Sequence, residues 1–368
     1  MQPLAVCGYT AEQVKQALHA ASRVLSFRYE LLDSQGRKKA DLAGVLGGRI
    51  EYNSLAEIKR TATFTLEDSA EVNYLSDRIK PWVRLRMPDG GWAEWPQGVF
   101  LLTTPPRRVS RAGVVTREVQ AYDLLQVLVD DKLADRYTVS VGTNYIAAVK
   151  AVLDGAGLTR QNLTPTDKTL PADRDWPPGT KKLSIVNDLL GSINYKSLWI
   201  DENGTAVAEP YRSPAERAPE YTYRDDEASV IFPEVGQSLD LFGVPNKWVL
   251  VVSQPDRTVL TSTYTNNNPD SPTSTVSRGR AIVDYREVDA ADQASLDAMA
   301  ARIAFEASQV YEQVEFETAI MPFHSDSDVI ELHYTKLGIA HKYSEVAWGF
   351  DLKAGARMYH RVRRVITV

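Results

Sequence analysis

The chain has 368 residues, with 42 basic and 48 acidic side chains, a formal net charge of −6 and one cysteine. That balance excludes a general nucleic-acid binder, which needs a basic excess to release counterions. A lone Cys7 excludes an internal disulfide framework and is expected to be a buried or inert thiol. At roughly 150 residues per domain the length predicts two or three domains, and such a chain buries about three quarters of its unfolded surface without metal or disulfides. No charged start followed by an apolar core marks a secretory signal. No run approaches the roughly eighteen apolar residues of a membrane span. The expectation is a protein made and folded in the cytoplasm, though it need not stay there, without stable membrane insertion.

In chain order, Thr10-Ala-Glu-Gln13 is a capping box leading into Val14, Leu18, Ala21 and Leu25, one face of a helix. Phe27 to Leu32 reads as a strand, followed by the turn Asp33-Ser-Gln-Gly36. Arg49–Tyr52, Thr61–Leu66, Trp82–Met87, Val99–Thr103 and Val114–Ala121 read as short strands, with turn signals at 88–91 and 111–113. In the stretch IKRTATFTLED (58–68), Ala62, Phe64 and Leu66 alternate with Thr61, Thr63 and Thr65. That period of two predicts a half-buried strand with a hydroxyl row on its open side. Several short strands joined by turns imply a sandwich or barrel. Ala121–Leu133 then reads as helical.

Beyond residue 135 the pattern predicts a helix capped by Thr143 and a loop over Gln161–Thr180. A second helix spans about Leu183–Ile193, and a hairpin turns at Asp201-Glu-Asn-Gly204. After Ser213 come strands at Trp248–Ser253, Val259–Tyr264 and Ala281–Tyr285. The polar tip Asn266–Ser274 is expected to be mobile or ordered only against a neighbour. Asp289 is placed to cap a helix carrying Leu296, Met299, Ile303, Ala307 and Val310. Strands at Val314–Met321, Val329–Tyr334, Tyr343–Asp351 and Met358–Val368 complete the chain.

No catalytic, cofactor or metal site assembles from these residues. The five histidines form no HExxH or zinc spacing, and no P-loop, GxGxxG or GxSxG is present. His324-Ser-Asp326-Ser-Asp328 is better explained as a polar turn than as a ligand cluster. Asp225-Asp-Glu227 and Asp130-Asp131 read as solvated turns, because glycoside cleavage needs carboxylates converging from different segments. Arg361-Val-Arg363-Arg364 alternates with apolar residues and reads as a strand face. Trp92 and Trp95 read as core or subunit contact. The competing enzymatic reading makes them a sugar platform beside an acid such as Glu94 or Asp226. Carbohydrate binding without cleavage is a related alternative.

The layout resembles the tail hub, or baseplate hub, proteins of tailed bacteriophages, often called minor tail proteins. The stretches that carry the resemblance are IKRTATFTLED, IKPWVRLRM (79–87), WPQGVFLLTTP (95–105) and REVQAYDLLQVL (117–128). They continue through VGTNYIAAVKAVLDGAG (141–157), KKLSIVNDLLGSINYKSLWIDENGTAVAEPY (181–211), VPNKWVLVV (244–252) and GRAIVDYREVD (279–289). The resemblance implies a mainly β fold: two small tail-tube-like β-barrels plus an α+β insert, a small helix-helix-hairpin module. The corresponding division is 1–25 as an N-terminal helical arm and 26–134 as the first barrel with a trailing helix. Residues 135–212 form the insert, and 213–368 the second barrel with helix 290–311, while 212–235 can return to the first barrel.

The resemblance further implies a non-enzymatic virion protein at the tail tip, a homotrimer joining a sixfold tail tube to a threefold tip. Its implied partners are the tail tube, distal tail, tape measure and tail-tip or fibre proteins, with viral DNA passing through without specific binding. No cofactor is implied. The sequence lacks a long C-terminal region of peptidase, lysin or receptor-binding character, so those tasks are expected on other proteins. A distal tail ring and the hub of a contractile device are the structural alternatives. In this setting Thr61, Thr63 and Thr65 are expected to face a channel or a neighbouring subunit, since small hydroxyls give polar contacts without positive charge.

Overall fold

The computed structural model describes residues 1–68, 71–109, 113–252, 259–288, 293–307 and 309–367. Two units are distinguished by internal contacts. The larger comprises Met1–Glu234 and Phe316–Arg361, the smaller Val235–Glu315 and Val362–Val368. The fold is mainly β, built on an open and largely antiparallel sheet with few helices.

That sheet has fifteen strands. Its main path runs Ile231–Leu239, Gln309–Ala319, Arg357–Thr367, Ile339–Asp351, Val45–Asn53, Arg60–Glu67, Val115–Tyr122, Phe100–Leu102, Arg78–Arg86, Leu25–Leu32 and Lys38–Asp41. Trp92–Pro96 branches from Arg78–Arg86, and Arg107–Val109 from Val115–Tyr122. Val329–Tyr334 pairs with Ile339–Asp351 and carries Tyr221–Arg224 beside it in parallel. The alternation read in the sequence sets these strands: Ala62, Phe64 and Leu66 are buried, as are Ile79, Val83 and Leu85 across the sheet. Phe64 meets Tyr29 and Phe100 edge-on, at ring separations of 6.3 and 5.9 Å.

The Ile339–Asp351 strand changes phase along its length. Tyr343 and Glu345 are buried at one parity, then Trp348 and Phe350 at the other. A strand shows one parity to one face, so its two halves serve two different cores. Trp348 stacks on Tyr52 at 5.5 Å in the first; Tyr343 and Glu345 belong to the second.

Local details depart from the sequence reading in instructive ways. The capping box at Thr10 is present, but the helix it opens spans only Ala11–His19, and Leu25 begins a strand. The expected Ala121–Leu133 helix shrinks to Leu125–Asp130, because Ala121 and Tyr122 stay in the sheet. Asn144, not Thr143, caps the Tyr145–Gly155 helix, its side chain accepting from the N–H groups of Ile146 and Ala147. That helix packs with Lys182–Ser192 in a cluster including Val149, Leu153, Val186 and Leu190. Trp199–Ile200 and Ala206–Ala208 form the hairpin expected at 201–204, with Gln161–Leu163 added in parallel.

In the smaller unit, Lys247–Val252 lies between Leu260–Thr265 and Val283–Glu287. The Gln293–Ala307 helix sets Leu296, Ala300 and Ala304 on Trp248, Leu250 and Val252. The Asn266–Ser274 tip is tied down within the chain, with Thr273 and Ser274 buried. Asn246 donates to the carbonyls of Thr273 and Arg280 at 3.0 Å. Asp289, Arg111 and Ala112, named as cap and turn residues, lie outside the described residues. Among the described residues, no helix is long and apolar enough to cross a membrane.

Candidate functional site

Thr61, Thr63 and Thr65 all project from the side of Arg60–Glu67 opposite the buried Ala62, Phe64 and Leu66; Thr63 is exposed and its neighbours half-buried. The register places Thr63 between Arg49 and Gln120, Thr61 between Glu51 and Tyr122, and Thr65 between Gly47 and Glu118. Residues directly opposite share a face in an antiparallel pair, so these side chains form one polar wall. Arg49 is held by Glu51 at 2.7 Å and Asp351 at 3.0 Å. On the strands beside the threonines Glu51, Glu67, Glu118 and Asp351 stand with Arg49 and Arg108, and the same face continues into Arg78, Lys80 and Arg84.

The structure also contains a centre that the sequence reading missed. His324, Asp326 and Asp328, expected in a solvated turn, are buried, together with Glu345 and His360. Ser327 takes a left-handed backbone with φ of 51°, which turns the segment inward. His324 Nδ1 lies 2.5 Å from one oxygen of Glu345 and 3.1 Å from Asp328, while its Nε2 meets the Tyr223 hydroxyl at 2.6 Å. His360 Nδ1 lies 2.5 Å from the other Glu345 oxygen, and its Nε2 is 2.8 Å from Thr318 Oγ1. Thr318 donates its own hydroxyl to the Ala319 carbonyl, so it accepts from His360 Nε2–H. The 2.5 Å contact between His360 and Glu345 therefore requires a proton between them, on one partner or the other.

Burial works against a charged His324, but Glu345 and Asp328 prevail and push its pKa up to about 9. Burial would raise Asp328, yet His324 and the Met1 amino group hold it well below the usual carboxylate range. Burial lowers His360. One ligand atom each from His324, Glu345 and His360 lie within 4.8 Å of one another, the spacing of a candidate ion site. His360 Nδ1 is hydrogen-bonded to Glu345 Oε1 and His324 Nδ1 to Asp328, while Glu345 Oε2 meets His324 as a close ion pair without a hydrogen bond. Ligands around a tetrahedral ion with bonds of about 2.1 Å would sit about 3.4 Å apart. The donor set is thus arranged as an ionic cluster.

A second buried pair ties the 135–212 segment to the first core. Arg60 is fully buried and bonds Glu202 at 2.6 Å, with its guanidinium 5.6 Å from the Trp348 ring. Gly98 accommodates it: φ is +127°, and an added Cβ would lie 2.8 Å from Arg60 Cδ. Lys196 reaches Asp326 at 2.5 Å.

The residues of the enzymatic alternative are otherwise engaged. Trp95 is buried and donates to the Pro3 carbonyl, and Trp92 lies under Arg84. Glu94 is clamped between Arg28 and Arg84, each at 2.8 Å, while exposed Asp226 accepts from the Ala228 N–H in a turn. Asp131 pairs with Lys182. Arg363 and Arg364 bond Gln313 and Glu312. Cys7, expected to be buried or inert, is exposed.

No family model matches the sequence, and no curated protein matches it. Among solved structures, the fold is similar to a tail protein from Neisseria meningitidis MC58, with a TM-score of 0.62 at 13% identity over 92% of this chain and 97% of that one. It is similar to the 43 kDa tail protein of prophage MuSo2 from Shewanella oneidensis, with a TM-score of 0.60 at 9% identity over 92% and 98%. It is also similar to a half-lidded Francisella PdpA–VgrG complex, with a TM-score of 0.56 at 8% identity over 93% of this chain and 58% of that one. The chain thus shares its fold with these tail proteins over nearly the whole length of each.

Proposed function

We propose that the chain is a structural virion protein, a homotrimeric tail-tip hub that joins a sixfold tail tube to a threefold tip and scaffolds tail assembly. The observation that carries this reading is the near end-to-end match with two phage tail proteins, 97% and 98% of whose lengths are covered. In this reading each copy contributes two tube-like barrels, and three copies surround a channel through which viral DNA leaves. The threonine wall faces that channel, its small uncharged hydroxyls offering polar contacts that do not hold phosphates. Its partners are the tail tube, distal tail, tape measure and tip or fibre proteins, and its place is the tail tip after assembly in the host cytoplasm. The chemistry is mechanical, and no turnover is assigned to it.

Antibodies against the chain, imaged on intact virions, test the location. Decoration at the tip alone supports the hub; decoration along the tube or on the capsid rejects it. The similarity to a PdpA–VgrG complex favours a second reading, the hub of a contractile device. A contractile sheath on the particles that carry the chain would select it.

A further inference from the structure

Five strands of the fifteen-stranded sheet have a neighbour on one side only, among the described residues: Lys38–Asp41, Trp92–Pro96, Arg107–Val109, Tyr221–Arg224 and Ile231–Leu239. Trp92–Pro96 and Tyr221–Arg224 are largely buried, whereas the other three are largely exposed. An exposed edge invites another strand, and monomeric proteins guard such edges with charge, proline or shortness. Lys38–Asp41 is short and its lysines are paired internally, with Asp41 at 2.7 Å and Asp77 at 2.8 Å. Ile231–Leu239 is nine residues long. Pro233 and Glu234 stand in its first half, but Val235-Gly-Gln-Ser-Leu239 carries neither charge nor proline. Leu239 is exposed, and Phe242 just beyond it is 77% exposed. Such an edge is left open for a partner.

Arg107–Val109 supplies a second exposed edge of complementary character. Val109 and Val114 are exposed there, Val109 by 71%. Arg108, 3.5 Å from Glu118, is the looser of the two arginines and is of opposite sign to Glu234. Two arginines deter pairing of this edge with itself, while an acidic, apolar edge complements it. Two unlike, complementary edges suit a head-to-tail contact, which closes into a ring when the rotation permits.

We propose that the Ile231–Leu239 edge of one copy takes up the Arg107–Val109 edge of a second copy as an added strand, and that this contact, repeated, builds the ring. The inference rests on the trimeric reading above and names its interface.

Mass photometry of purified protein tests it with Val235→Lys/Leu239→Lys, with Val109→Lys, and with Ala40→Lys as a control at the guarded edge. Wild type and the control are expected at three times the 41.0 kDa chain mass. Each edge variant alone is expected as a monomer. An equimolar mixture retains one intact pair of edges and is expected to stop at a dimer. Edge variants that remain trimeric, or a mixture that stays monomeric, overturn the proposed contact while a trimeric wild type keeps the ring reading. A monomeric wild type at every concentration overturns the ring reading itself. If a variant fails to fold, hydrogen exchange on wild type decides: amides in both 107–109 and 231–239 must gain protection as concentration assembles the particle. Protection unchanged in either segment overturns the contact.

Discussion

His360 Nδ1 and a carboxylate oxygen of Glu345 lie 2.5 Å apart, both fully buried, and Glu345 also carries His324 on its other oxygen at 2.5 Å. One carboxylate thus joins two imidazoles from separate segments. Removing one member of such a buried set leaves charge without a partner, at a cost of about 3–5 kcal/mol. Glu345→Ala is expected to lower unfolding stability by that amount in urea titration. A loss below about 1 kcal/mol would show that the cluster contributes little.

Alkaline pH should act on the same cluster. His324 has a folded pKa of about 9, above the roughly 6.5 of an unfolded histidine. Its contribution is complete below about pH 6.5 and is lost as pH rises through about 9. The groups facing it do not offset this: Asp328 and Glu345 are already ionised, burial holds Tyr223 well above its ordinary value and lowers His360, and the Met1 amino group, raised by Asp328 against burial, loses its charge in the same direction. The thermal midpoint is expected to fall between pH 7 and 9.5, with a shallower slope in His324→Gln. Equal slopes in the two proteins would assign the effect elsewhere.

The two sides of the Arg60–Glu67 strand should respond differently. Phe64→Ala opens a cavity in the core and is expected to cost about 3–5 kcal/mol. Thr63→Val touches an exposed position and is expected to stay within about 0.5 kcal/mol. Thr63→Lys tests the channel reading, since a ring of added positive charges would hold phosphates. Virions bearing it are expected to eject DNA more slowly at low salt and to recover at high salt. Unchanged ejection at every ionic strength would place the threonines away from the DNA path.

Much of this was legible because a strand advertises its two faces residue by residue. Ala62, Phe64 and Leu66 could be sorted from Thr61, Thr63 and Thr65 without coordinates. The ionic cluster was not legible. Its members come from separated segments, and His324-Ser-Asp-Ser-Asp328 has the composition of a solvent-facing turn; only the convergence of Glu345 and His360 makes it an interior. The phase change along Ile339–Asp351 was hidden for a similar reason, because buried Ala347 and Gly349 blur the alternation. Helix ends were misplaced where tertiary contacts outweighed local pattern, as when Ala121 and Tyr122 stayed in the sheet.

Gly98 is expected to resist substitution. Alanine there would hold φ near +127° against its preference and press on the buried Arg60 side chain. Gly98→Ala is expected to lose about 1–3 kcal/mol, read by thermal unfolding. No loss would mean that the turn and Arg60 relax freely.

The enzymatic alternative makes a separate prediction. Incubation with purified peptidoglycan or host polysaccharide is expected to release no reducing ends, because Glu94 is clamped by two arginines and Asp226 closes a turn. Release that disappears in Glu94→Gln or Asp226→Asn would replace the structural reading with a catalytic one.

The most direct test of the hub account is an electron-microscope image of the assembled protein. The account predicts an annulus of threefold symmetry with an open centre, walled by paired sheets from three copies. A compact single-chain particle with no central opening would contradict it.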